Sequence, residues 1–112
     1  MPNRKFTRIR FESKAFVRSL EQSFEAFTEN LSLNGLFIRT ERRLPVGNRA
    51  EIILEIPSAS RSSSFTVNVK VVRTDVNGMA FQFGSLDQAS FSLLQTVINK
   101  KSPNRRKEYY SV

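Results

Sequence analysis

The sequence predicts a mainly β protein: a six-stranded antiparallel barrel of the split-barrel kind, closed by one C-terminal α-helix. Three observations predict it. Long stretches alternate apolar and polar residues, Gly, Pro and Asn punctuate them at short intervals, and helical spacing occurs once, late in the chain. With 112 residues, 39% of them hydrophobic, and with ten Phe and no Trp, the chain suits one compact core.

The elements follow in order. Two weaker strands are expected from Phe11 to Val17 and from Ser23 to Thr28. Leu36 to Thr40 and Met79 to Phe83 are short, rich in aromatic or branched residues, and bounded by Gly35, Gly78 and Gly84. Between Arg49 and Ile56 the residues Ile52, Leu54 and Ile56 oppose Glu51 and Glu55. Phe65 to Val72 alternates in the same way, with Phe65, Val67, Val69 and Val71 on one face. Pro45 to Asn48 and the Ser-rich stretch 57–64 read as turn and loop, and Asn77-Gly78 signals a type I′ hairpin with positive φ at both residues. Ser85 and Gln88 form a capping-box pattern, with Asp87 as the alternative cap. Beyond it Phe91, Leu94 and Ile98, widened by Leu93 and Val97, give an apolar stripe fit to cover an open barrel end. Lys100 and Lys101 sit at the favourable end of the helix dipole. The chain thus divides into an N-terminal arm (1–10), the barrel and helix (11–101) and a basic tail (102–112).

Composition narrows the function. No run of eighteen apolar residues and no signal peptide is present, and Cys is absent, which fits a cytoplasmic protein without disulfides. His is absent as well, and the two Asp residues, Asp75 and Asp87, have no carboxylate close in sequence. Catalysis and a metal centre are therefore not expected. The 18 Lys and Arg against 10 Asp and Glu give a formal charge of +8, which favours anionic partners. The charge is clustered: Arg4, Lys5, Arg8 and Arg10 crowd one end, and Lys100, Lys101, Arg105, Arg106 and Lys107 the other.

Two segments have no evident duty in a barrel. Arg4 and Arg8 lie four apart, so in an extended chain they share a face about 13 Å apart and can clasp a flat, doubly phosphorylated molecule. A guanidinium fork donates paired bonds to phosphate or to guanine O6 and N7, and its plane stacks on a base. The second segment, Asn30 to Gly35, places Asn30 and Ser32 on one side of an extended chain. Gly35 allows either positive φ or a close backbone approach to ligand. Alone, this pattern is ordinary turn chemistry.

Together, Arg-x-x-x-Arg before the first strand and Asn-x-Ser-x-x-Gly between the second and third resemble the PilZ domain family. The resemblance extends through Leu36 to Arg39, the Leu44 to Gly47 turn, Val71 to Arg73, Met79 to Phe83 and the closing helix, roughly Arg4 to Lys101. It implies a six-stranded barrel with a C-terminal helix that binds the second messenger cyclic di-GMP through Arg4, Arg8, Asn30, Ser32 and Gly35. Position 30 is Asn where Asp is common, which keeps an acceptor oxygen and loses the charge. Lys5, Arg10 and Arg73 are secondary candidates. Arg73 is as well suited to a structural salt bridge, and Arg42 and Arg43 read as solvated loop residues.

The expected mechanism is an arm that orders on ligand binding and is then read by a downstream protein, in a monomer or weak dimer. Two alternatives compete. A basic barrel binding single-stranded nucleic acid would need exposed aromatics for stacking, for which Phe27 and Phe37 are the candidates; Phe24, Phe65, Phe81 and Phe83 fit inward faces. A PilZ-type protein adaptor that works without nucleotide would lack the arginine pair that this chain keeps.

Overall fold

The computed structural model describes residues 8–56 and 63–101. Arg4, Lys5, the Ser-rich loop from 57 to 62 and the tail from 102 lie outside the described residues. In chain order the elements are β1 (Ile9–Arg10), β2 (Lys14–Arg18), β3 (Ser23–Leu31), β4 (Gly35–Arg39), β5 (Arg49–Ile56), β6 (Ser63–Thr74), β7 (Gly78–Phe83) and α1 (Gln88–Lys101). All strand pairs are antiparallel, in the order β3-β2-β5-β6-β7-β4, and a further β3–β4 pairing closes the ring. The six expected strands are therefore the six staves of a barrel, and β1 is an additional short strand.

β1 lies before the first expected strand, which itself begins only at Lys14 as β2. Ile9 and Arg10 pair with Leu31 and Asn30 at one end of β3, whereas β2 pairs with Ser23 to Phe27 at the other. The chain between them is stitched by Thr28, which is fully buried. Its Oγ1 donates to the Phe11 carbonyl (2.5 Å) and accepts from the Ser13 amide (2.9 Å). A buried hydroxyl left unpaired would be destabilising, so this bond pair fixes the crossing. Ile9 and Arg10, expected in the arm, are thus part of the sheet.

Alternation sends Val17, Ile52, Leu54, Val67, Val71, Ile38 and Phe81 inward, and each is nearly or wholly buried. Each large side chain removed from water contributes about 1.5–3 kcal/mol. Phe24, Phe65, Phe81 and Phe83 all face inward, as their positions predict. Helix α1 buries Leu94, Val97 and Ile98 and touches β1. Phe91, expected in that stripe, is instead 39% exposed, because the helix meets the barrel only from its second turn onward. Asp87 rather than Ser85 caps the helix: its Oδ1 accepts from the Ser90 amide at 2.7 Å, in the N-cap to N3 geometry. That bond holds the Asp87 carboxyl below the ordinary aspartate range.

The β6–β7 turn also departs from expectation. Neither Asn77 nor Gly78 has positive φ; among the described residues only Gly47 does. The Asp75 carboxylate supplies the reason. It accepts from the amides of Asn77 (2.8 Å) and Gly78 (3.2 Å), which supports a right-handed turn in place of type I′. Arg43 is not a solvated residue either. Its guanidinium donates to the carbonyls of Thr40, Arg42, Asp75 and Val76 and so ties the β4–β5 loop to this turn.

Candidate functional site

The site begins with the turn between β3 and β4. Ser32 is buried, and its Oγ accepts from the amides of Asn34 (3.1 Å) and Gly35 (3.3 Å). The Ser32 amide donates to the Gly35 carbonyl at 2.9 Å, so the hydroxyl shapes a tight turn. The Asn34 carbonyl accepts from the Phe83 amide (2.9 Å), which pins the turn against β7. The need for glycine at 35 comes from β7, not from φ. A Cβ there would lie 2.0 Å from the Phe81 carbonyl oxygen, where no side chain fits.

Two β-bulges aim the polar residues. The β3–β4 register shifts between Thr28 and Asn30, leaving Glu29 as the extra residue. The β6–β7 register shifts between Val71 and Arg73, leaving Val72 extra. Strict alternation would turn Asn30 and Arg73 inward after buried Thr28 and Val71; each bulge resets the phase and brings them to the outer face. There Asn30 lies opposite Phe37, and Phe37 opposite Ala80, which also faces Arg73.

Phe37 is the unusual member of this face. It is buried although it stands outside the core cluster, and the Arg73 guanidinium lies 5.6 Å from its ring centroid. Arg73 also pairs with Asp75 at 2.8 Å, the structural role weighed against ligand contact in the sequence. The Asp75 carboxyl is held below the usual range chiefly by the Asn77 amide, then by the Gly78 amide and Arg73.

A cavity of about 480 Å³ opens over this face, lined by Arg8, Ser32, Gly35 and Arg73 together with Asn34, Val72 and Gln82. Arg8 donates to Asn30 Oδ1 at 2.9 Å and also lines a neighbouring depression with Asn30, Arg10 and Glu29. Four of the residues singled out in the sequence thus border one cavity, and Asn30 adjoins it through Arg8. Arg10 is turned aside by a 3.1 Å pair with Glu12. Sequence reasoning passed over Gln82 and Val72. Gln82 was within reach, since Met79, Phe81 and Phe83 alternate inward and leave it outside. Val72 depended on a bulge that no local pattern announces. Among the described residues no group of His, Cys, Asp or Glu could hold a metal ion, and no helix is long and apolar enough to cross a membrane.

The PilZ domain profile matches residues 2–100. The chain belongs to the PilZ domain family. PilZ domains are generally non-catalytic binding domains, and the family typically binds cyclic di-GMP. Among solved structures, the chain is similar to the inhibitor of motility MotI/DgrA of Bacillus subtilis, with a TM-score of 0.75 and 13% identity. That match covers 87% of this chain and 49% of the other, so this chain spans about half the length of that protein. It is similar also to the PilZ domain of Escherichia coli YcgR, solved with c-di-GMP: TM-score 0.71, 16% identity, covering 99% of this chain and 100% of that one. The PilZ domain of CeSA from a cellulose-synthesizing bacterium gives a TM-score of 0.64 and 13% identity over 81% of this chain and 93% of that one. No match is found among curated proteins. At these identities the structural likeness concerns the fold.

Proposed function

We propose that this PilZ domain is a cyclic di-GMP receptor that passes the signal to a downstream protein in the cytoplasm. The observation that carries the reading is the meeting of Arg8, Ser32 and Gly35, from two motifs more than twenty residues apart, at one cavity bordered also by Arg73. Arg8 rests on the neutral amide oxygen of Asn30. A phosphate offers that guanidinium a charge-assisted, bidentate partner and is the stronger acceptor. Ligand arrival would therefore move Arg8 from Asn30 to phosphate and free the amide for a guanine edge. Arg4 and Lys5 enter on the motif and the local charge alone. The ordering of the arm around the ligand would be the event a partner reads. The nucleic-acid reading is weaker, since of its two stacking candidates Phe37 is buried and only Phe27 stands exposed.

Isothermal titration with cyclic di-GMP tests the proposal. Saturable heat is expected, with affinity that falls as salt rises. Arg8→Ala should weaken binding at least about tenfold, equivalent to about 1.4 kcal/mol. A folded sample that gives no heat, or an Arg8→Ala protein that binds as well as its parent, would falsify it.

A further inference from the structure

A second concavity lies on the same outer face, across β5, β6 and β7. It measures about 440 Å³ and is lined by Arg49, Asn68, Lys70, Gln82 and Ser85, with no carboxylate among its lining residues. Arg49 and Lys70 stand directly opposite each other in the β5–β6 register, and both are exposed. Like charges in that arrangement repel, and a sheet gains nothing by keeping them there. Neither makes an ion pair or side-chain hydrogen bond among the described residues. The carboxylate of Glu51, two residues further along the same face of β5, is held by Arg18. Among the described residues the pair is thus two facing cations without an ion-pair partner.

The polar groups around them are of one kind. Lys70 pairs with Gln82, and Asn68 precedes Lys70 on the outer face of β6. The backbone carbonyl of Asn68 is taken by the Gly84 amide at 2.7 Å, which holds the β7–α1 connection beside the trough. Two amides and the Ser85 hydroxyl can bond a base edge or a ribose while the cations hold a phosphate. A guanidinium fork beside an ammonium point charge suits phosphate oxygens. The volume is that of a small-molecule site, too confined for a broad acidic protein surface.

We infer that this trough is a second anion site, taking a phosphate-bearing ligand of nucleotide size on Arg49 and Lys70. It abuts the first cavity, because Gln82 lines both. In register the row runs Gly35, Gln82, Lys70, Arg49, so three strand spacings of about 4.8 Å, roughly 14 Å, separate the β3–β4 turn from Arg49. The phosphate could come from a free phosphorylated compound or from a second copy of the dinucleotide proposed for the first cavity. The inference stands on the cations and the trough and does not need that first reading to hold.

The test is amide chemical-shift mapping of the full chain with inorganic pyrophosphate as probe, followed by cyclic di-GMP. Pyrophosphate should shift the amides of Arg49, Lys70 and Gly84 saturably. Binding should weaken more than tenfold in an R49Q/K70Q double variant and be unchanged in Arg8→Ala. The double variant should melt at the parent temperature or above, since it removes a repulsion. Shifts that do not saturate, that spread evenly over the basic surface, or that persist in R49Q/K70Q would overturn the site. If the second equivalent of cyclic di-GMP moves the same amides, the dinucleotide is the source; if only pyrophosphate does, free phosphorylated compounds are. Should cyclic di-GMP bind nowhere while pyrophosphate still fills the trough, the receptor reading fails and this one stands.

Discussion

Gly35 illustrates how a motif residue can serve the fold before it serves a ligand. Its Cα faces the Phe81 carbonyl so closely that an added methyl would overlap a backbone atom of a central stave. A flexible neighbour could yield, but a carbonyl paired in the β4–β7 ladder has little freedom. Gly35→Ala should therefore destabilise the protein by about 3 kcal/mol, near the top of the range for overpacking. Urea unfolding would show a lower midpoint with an unchanged slope. Ser32 behaves similarly, since its hydroxyl is engaged by the turn it sits in. These roles were half legible in the sequence. The pattern Asn30, Ser32, Gly35 marked the right corner, but its chemistry was readable only as turn or ligand contact. The neighbour that decides for Gly35 is a strand more than forty residues away. Arg43 makes the same point: nothing in its local context announces four carbonyl acceptors, two of them over thirty residues distant.

At the scale of the element, local pattern predicted most of what is observed. The strands between Arg49 and Ile56 and from Met79 to Phe83 have the bounds, or nearly the bounds, that alternation gives them. Reading failed where alternation itself breaks. The second strand is expected to end near Thr28, yet β3 continues to Leu31 through the bulge at Glu29. Helix α1 offers a test at this scale. Asp87 caps it through the Ser90 amide, and the Phe91 amide donates to the Asp87 carbonyl at 2.9 Å. Asp87→Ala should speed amide exchange at Ser90 and Phe91 and lower the melting temperature. Because the bond depresses the carboxyl's pKa, its contribution is complete above the ordinary aspartate range. It is lost as pH falls through the lower folded-state value. The protection factor at Ser90, its exchange rate divided into the intrinsic rate at each pH, should fall from pH 6 down to about 2 in the parent and stay level in Asp87→Ala.

For the whole molecule, the decisive contact is the pairing of β3 with β4, which turns a sheet into a barrel and leaves only short edges. Ile38 sits at that seam, fully buried between Thr28 of β3 and Met79 of β7. Ile38→Ala should cost about 2–5 kcal/mol, the range for emptying a tightly packed position. Thermal unfolding followed by circular dichroism and by a near-ultraviolet probe should shift together, since the ring has no independent half. A transition that splits would show that the barrel is not one cooperative unit. The number of staves was legible in the sequence, because each strand writes its own periodicity. The pairing of β2 with β5 and of β4 with β7 was not, since those partners are distant in the chain and no turn joins them.

The extra residue at Val72 has a consequence for how β6 can vary. Inside and outside are counted along a strand like odd and even numbers, and the bulge is one skipped count. Shortening the chain there by a single residue would leave Arg73 on the wet side of the wall. Straightening the strand with every residue kept would drive its positive charge into the oily interior instead. A deletion is thus the gentler change at this position, and the length of β6 is less tightly constrained than its parity.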